Sequence, residues 1–199
     1  MSDIQTKASE LLRLHHTGET LVLPTVWDAW SARAAADAGF LGLSIGSHPR
    51  GQPGQQDGEG MTLGDALDGI SRICASVDLP VTADVESGTA RPPPSSSSAS
   101  SQRAPSASTS RTPCTAKGRI REVAEHADYI GELRQAADAA GVELVINART
   151  DALVHGTERF ADPLAEAITR MQACEQAGAR SLYPCACPTP PRCTRCSTP

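Results

Sequence analysis

Along most of its length the chain repeats one grammar: a short aliphatic stretch, a loop, an Ala-rich amphipathic run, a glycine, and the next aliphatic stretch. Residues 21–24, 41–45, 80–85, 143–148 and 180–183 read as strands. Residues 4–16, 28–38, 62–77, 123–140 and 163–177 carry apolar positions at helical spacing. Asp28 and Thr62 stand where a helix cap belongs, and Gly18, Gly39, Gly141 and Gly178 stand where helices stop. Strands that alternate with helices cannot be joined by hairpins. They demand a parallel sheet with helical crossovers, an α/β fold.

The grammar fails twice. The step from the strand at 81 to the strand at 143 is about twice one such unit, so a fourth strand is expected near residue 110. Residues 89–118 stand there instead, with no Ile, Leu, Val, Met, Phe, Tyr or Trp. Residues 184–199 (PCACPTPPRCTRCSTP) likewise hold no large apolar side chain. Three origins compete for these tracts: a linker that can bury nothing, a docking or phosphorylated insertion, and out-of-frame translation of a GC-rich coding sequence. The last accounts best for the excess of Arg, Pro, Ser, Ala and Cys and for the pattern resuming at Ile120. The reading is one domain over 1–199, interrupted at 89–118 and ending in an anomalous Cys/Pro-rich tail.

Composition narrows the function. A net charge of −5 gives no basic footprint for nucleic acid or an anionic membrane surface. No apolar run is long enough to span a bilayer, and residues 1–20 do not resemble a signal peptide. Seven cysteines, an odd number without secretory context, point to a reduced, cytoplasmic protein.

The chemistry gathers at the ends of the strands. Asp84 and Glu86 lie two apart, so both face one way, roughly 6–7 Å from each other. Such a pair calls for a hard cation, Mg²⁺ or Mn²⁺, or else is an acid pair solvated at the strand end or capping a helix. Asp57, in QQDGEG, is either a third carboxylate or a turn residue. Asn147 and Arg149 also share a face; Arg149 either grips an anionic substrate through its fork or makes a structural ion pair. The segment Ser44-Ile45-Gly46-Ser47-His48 offers backbone amides for an anion nest. All of these fall at C-terminal ends of expected parallel strands, where the sites of such folds lie. His15 and His16 read as surface or packing residues, and Cys74 and Cys174 as buried apolar positions. Cys185, Cys187, Cys193 and Cys196 have spacing that a zinc ion accepts, and the shifted-frame reading explains them without one.

The motifs LPTVWDAWSARAAADAGF, LSIGSHP, DGEGMTL, LPVTADVESG and VINARTDA occur in order over residues 5–88 and 119–183. Together they resemble the isocitrate lyase/phosphoenolpyruvate mutase superfamily, in its short, PEP-mutase-like bacterial branch. The resemblance implies a (β/α)₈ barrel of TIM type, Mg²⁺ (or Mn²⁺), and cleavage or formation of a C–C or P–C bond beside a 2-oxo acid through an enolate. It implies Asp84 as principal metal ligand, with Glu86 and Asp57 supporting largely through water. Arg149 is implied as the catalytic, substrate-holding arginine, and Gly46 and Ser47 as the loop whose amides hold the substrate carboxylate. The implied partner is a small 2-oxo acid or its adduct, and the implied assembly a homotetramer built by exchanging a C-terminal helix that this chain lacks. Where the family continues ESG with Tyr-Gly, this chain has Thr89-Ala90. The family's Ile-Glu-Asp type motif on the fourth strand is missing. The barrel expected here is therefore incomplete, with its fourth strand disrupted and its last two absent. Two other readings stand beside the lyase or mutase: a non-catalytic remnant of the family, and a Cys-rich zinc-binding interaction protein. Relatives acting on oxaloacetate, methylisocitrate or phosphonopyruvate share these motifs, so the substrate stays open.

Overall fold

The structure, a computed structural model, describes residues 3–46, 63–84, 107–110 and 120–186. Helix α1 (Asp3–His15) leads into β1 (Thr25–Val26), α2 (Ala29–Asp37), β2 (Leu43–Ile45), α3 (Leu63–Cys74) and β3 (Val81–Asp84). Strand β4 (Ala107–Ser110) follows, then α4 (Val123–Ala139), β5 (Val145–Thr150), the short α5 (Ala152–His155), α6 (Pro163–Gln176) and β6 (Ser181–Pro184). The six strands form one sheet in the order β1-β2-β3-β4-β5-β6, and every neighbouring pair is parallel. Chain order equal to sheet order is the rule of a (β/α) barrel wall, whereas doubly wound sheets reverse at a switch point.

Local chemistry sets the helix ends. Asp28 accepts from the Ser31 amide at 2.8 Å, and the Ser31 hydroxyl in turn lies 3.1 Å from the Asp28 amide, a reciprocal cap that satisfies two otherwise orphaned donors. Asp162 caps α6 through the amides of Leu164 and Ala165, with Pro163 in the first turn. Gly39, Gly141 and Gly178 follow α2, α4 and α6 with positive φ.

Strand parity sorts the side chains. Leu43, Ile45, Val81 and Ala83 face outward and pack with Ala32, Ile70 and Ile73 of α2 and α3. Ile146 and Ala148 of β5 pack outward on Ile130 of α4 and Cys174 of α6. The alternate residues face the concave side. There Leu11 of α1 closes on Val145 from below, with Leu21 and Leu23 beside it. A cavity of about 170 Å³ lies above this floor, lined by Ser44, Thr82, Asn147 and Ser181 among others.

Three sequence expectations change. The fourth strand is present: β4 pairs with β3 over Thr82↔Ala107 to Asp84↔Thr109 and with β5 over Ala107↔Val145 to Ser110↔Ala148. It sits within the tract that lacks large apolar residues. A parallel ladder is made by main-chain groups, which every residue here supplies, so apolar content is a poor guide to a strand held on both sides. The first strand lies at Thr25–Val26 rather than 21–24; the Pro24 carbonyl accepts from the Ser44 amide at 2.9 Å, but proline has no N–H to continue the ladder backward. Helix α3 ends at Cys74, short of Val77, and the Ser76 hydroxyl donates to the Ile73 carbonyl at 2.8 Å just past its end. Thr62, expected to cap it, lies outside the described residues.

Candidate active site

Strands β3 and β5 deliver their last inward residues to one end of the sheet. On β3 the inward residues are Thr82 and then Asp84, because Val81 and Ala83 are spent on the outer core. On β5 they are Val145, Asn147 and Arg149, because Ile146 and Ala148 are spent likewise. Asp84 and Asn147 are both level with Thr109 of β4, so their Cα atoms stand two strand spacings apart, about 10 Å. Arg149 lies one inward step further toward the C-terminal end, about 12 Å from Asp84 by the same spacings. Asp84 is half-buried and closes β3.

Arg149 is held on two sides at this end. Its Nε donates to Asp151 Oδ1 at 2.8 Å, and its Nη2 lies 2.7 Å from the same oxygen. Both side chains are largely covered, at 20 % and 18 % exposure, which strengthens the pair relative to one in open water. The guanidinium also lies over the Tyr183 ring, 5.6 Å from its centroid, because Arg149 and Tyr183 are register partners on β5 and β6. Burial works against the charge of Arg149, and the hydrogen bond and charge of Asp151 outweigh it, holding the group above its ordinary value. The Asn147 side-chain oxygen is buried without a hydrogen-bond partner.

Of the residues singled out in the sequence, Asp84, Gly46 and Arg149 fall at this end: Gly46 directly follows β2, whose Ser44 lines the cavity below. Asp57, Glu86 and Ser47 lie outside the described residues, as do Cys187, Cys193 and Cys196. Cys185 is a free thiol. Among the described residues no three His, Cys, Asp or Glu side chains cluster as a metal site. Asp84 supplies a hard oxygen donor at this end of the sheet, the donor type that Mg²⁺ takes. Asp151 and Tyr183 escaped the sequence reading. Asp151 lies just past the end of β5, at the start of α5, and Tyr183 joins Arg149 only through the β5–β6 register.

The structure of a protein from Burkholderia cenocepacia J2315 assigned as a phosphonomutase superposes with a TM-score of 0.76 at 34 % identity, covering 88 % of this chain and 73 % of that one. A 2,3-dimethylmalate lyase, itself a PEP mutase/isocitrate lyase superfamily member, superposes at 0.73 with 26 % identity over 92 % of this chain and 61 % of its own. An oxaloacetate acetylhydrolase at 22 % identity and a TM-score of 0.71 shares the fold over 87 % of this chain and 61 % of its own. The chain thus spans about three fifths of the length of the last two. No curated protein sequence matches it. The family pattern described as phosphoenolpyruvate phosphomutase matches residues 11–198, and the chain belongs to that family, within the PEP mutase/isocitrate lyase superfamily of lyases and mutases.

Proposed function

We propose that the chain carries the site of a Mg²⁺-dependent lyase or mutase that breaks or forms a C–C or P–C bond beside a 2-oxo acid. The observation behind this is the convergence of Asp84 and Arg149 on the concave face, at the C-terminal ends of β3 and β5. Asp84 would hold the cation, joined by Glu86 and Asp57. The cation, when bound, would supply the positive charge that stabilises an enolate. Arg149 would orient the substrate's second anionic group, and the amides at Gly46 and Ser47 its carboxylate, so that binding energy fixes the reacting bond in place. The covered position of Arg149 lowers the local dielectric and strengthens its grip on an anion.

Residues 89–118 and 184–199 we read as products of a shifted reading frame, which resequencing the coding DNA tests. The functional reading is tested by assaying the purified chain with Mg²⁺ on oxaloacetate, 2-methylisocitrate and phosphonopyruvate, beside Asp84→Asn. Turnover of at least one acid is expected, impaired because the fourth-strand motif is missing, with at least a hundredfold further loss in the variant, in line with loss of one strong electrostatic group. Equal turnover in Asp84→Asn would remove Asp84 from the site. No turnover of any acid would favour a non-catalytic member of the family.

A further inference from the structure

Asp151 stands at the cap position of α5, where aspartate is strongly favoured because its carboxylate can accept from the first helix amides. It makes no such bond. The Thr150 hydroxyl, fully buried, accepts from the Ala152 amide at 3.3 Å instead. Asp151 is thereby released from the helix and its carboxylate turns back along the chain onto Arg149. Both bonds run to one oxygen, Oδ1, so the carboxylate engages the Nε/Nη2 edge of the guanidinium. The Tyr183 ring lies against the guanidinium and restricts its rotation.

We infer that Asp151 is the positioning residue of the anion-binding arginine. It fixes the plane of Arg149 before substrate arrives, so that the guanidinium is already oriented when a carboxylate or phosphonate binds. This rests on the reading of Arg149 as the group that holds the substrate's second anion. An arginine free to sample its rotamers loses that freedom on binding, at a cost in affinity; one already clamped does not. The opposite sign has its own physical logic. If Asp151 merely competed with substrate for the guanidinium, removing its charge would tighten binding.

The sign decides, and binding can be read without turnover. The dissociation constant of phosphonopyruvate in the presence of Mg²⁺ is measured by calorimetry for the full chain, Asp151→Asn, Arg149→Lys and the double variant, with thermal unfolding of each. Asp151→Asn is expected to weaken binding about tenfold at unchanged stoichiometry. Arg149→Lys should weaken it at least as much, since the fork is lost. The double variant should be no worse than Arg149→Lys, because Asp151 acts through Arg149. A purely structural role would lower the unfolding temperature of Asp151→Asn and leave the dissociation constant of its folded fraction alone, which overturns the inference. So does tighter binding in Asp151→Asn, or losses that simply add. Failure of the functional reading looks different: Arg149→Lys binds like the parent chain, or the parent chain does not bind at all.

Discussion

His126 has no exposed surface, and its Nε2 has no hydrogen-bond partner. Its Nδ1 lies 3.4 Å from Cys174 Sγ. Burial pushes the Cys174 thiol up to about 11, so at neutral pH the sulfur keeps its proton and donates to Nδ1. Burial first, and then the charges of Arg121 and Arg170, push the imidazole down to about 4 from 6.5. The folded chain therefore holds His126 neutral, while the unfolded chain protonates it as soon as pH drops below 6.5. The stability tied to this residue is intact above that value, erodes as pH falls toward 4, and is gone below it. The size is about 3 kcal/mol, from 1.36 kcal/mol per pKa unit. Urea unfolding between pH 7.5 and 4 should show this loss in the parent chain and a flatter profile in His126→Gln. Parallel profiles would mean that the folded chain already carries the proton. Cys174 is the buried core position that the sequence predicts, and its contact with His126 is what the sequence does not show. Its partner is 48 residues away, a separation at which side-chain pairing leaves no local trace.

At the scale of elements, two glycines make opposite predictions. Gly178 turns α6 into β6 with φ +105°, and a Cβ there would lie 2.7 Å from Arg134 Cγ. Arg134 cannot easily yield, because it donates to the carbonyls of Gly178 and Leu144 and pairs with Asp138. Gly178→Ala should cost about 2 kcal/mol. Gly131 sits inside α4 with nothing within 4 Å of where a Cβ would stand, so Gly131→Ala should gain up to about 1 kcal/mol. Thermal unfolding of the two variants must move in opposite directions for this account to hold. Gly178 was legible in the sequence because it closes an amphipathic run that begins at the Asp162-Pro163 cap. Strand β4 was legible only from the spacing of the units, which puts a strand near residue 110: its four residues, Ala-Ser-Thr-Ser, carry no apolar alternation, and what fixes them is the ladder on each side. Ser108→Pro removes an amide from the middle of this doubly paired strand and should cost roughly 2 kcal/mol or more. A neutral Ser108→Pro would show that β3 and β5 do not need β4. Much the same division holds at the candidate site. The parity of Asp84 and of Asn147 and Arg149 could be read from two-residue spacing, since it follows from the pleat alone. The Asp151 clamp and the Tyr183 ring could not, since they depend on how β5 ends and on which residue of β6 it meets.

At the scale of the molecule the outward core divides into two clusters, one behind β1 to β3 and one behind β5. Strand β4 joins them through main-chain pairing, and α1 joins them through side chains. From α1, Lys7 donates to the Val77 carbonyl at 3.4 Å and pairs with Asp78 at 3.2 Å, on the approach to β3. Ser9 donates to Glu143 at 2.7 Å on the approach to β5, and Leu11, with no exposed surface, packs on Val145. One helix thus braces the lower ends of both halves, below the Asp84 and Arg149 end of the sheet. These contacts differ in weight. Asp78 is 96 % exposed, so its pair with Lys7 contributes at most about 1 kcal/mol after solvent screening. Leu11 fills enclosed space, and its truncation removes apolar burial and leaves a void, for a loss of about 2–5 kcal/mol. Leu11→Ala should therefore unfold far more readily than Asp78→Ala. Its damage should also spread to both halves: hydrogen exchange at the amides of β2 and of β5 should quicken together. If exchange quickens at β5 alone, the two clusters fold independently, and α1 belongs to the β5 half rather than bracing the whole.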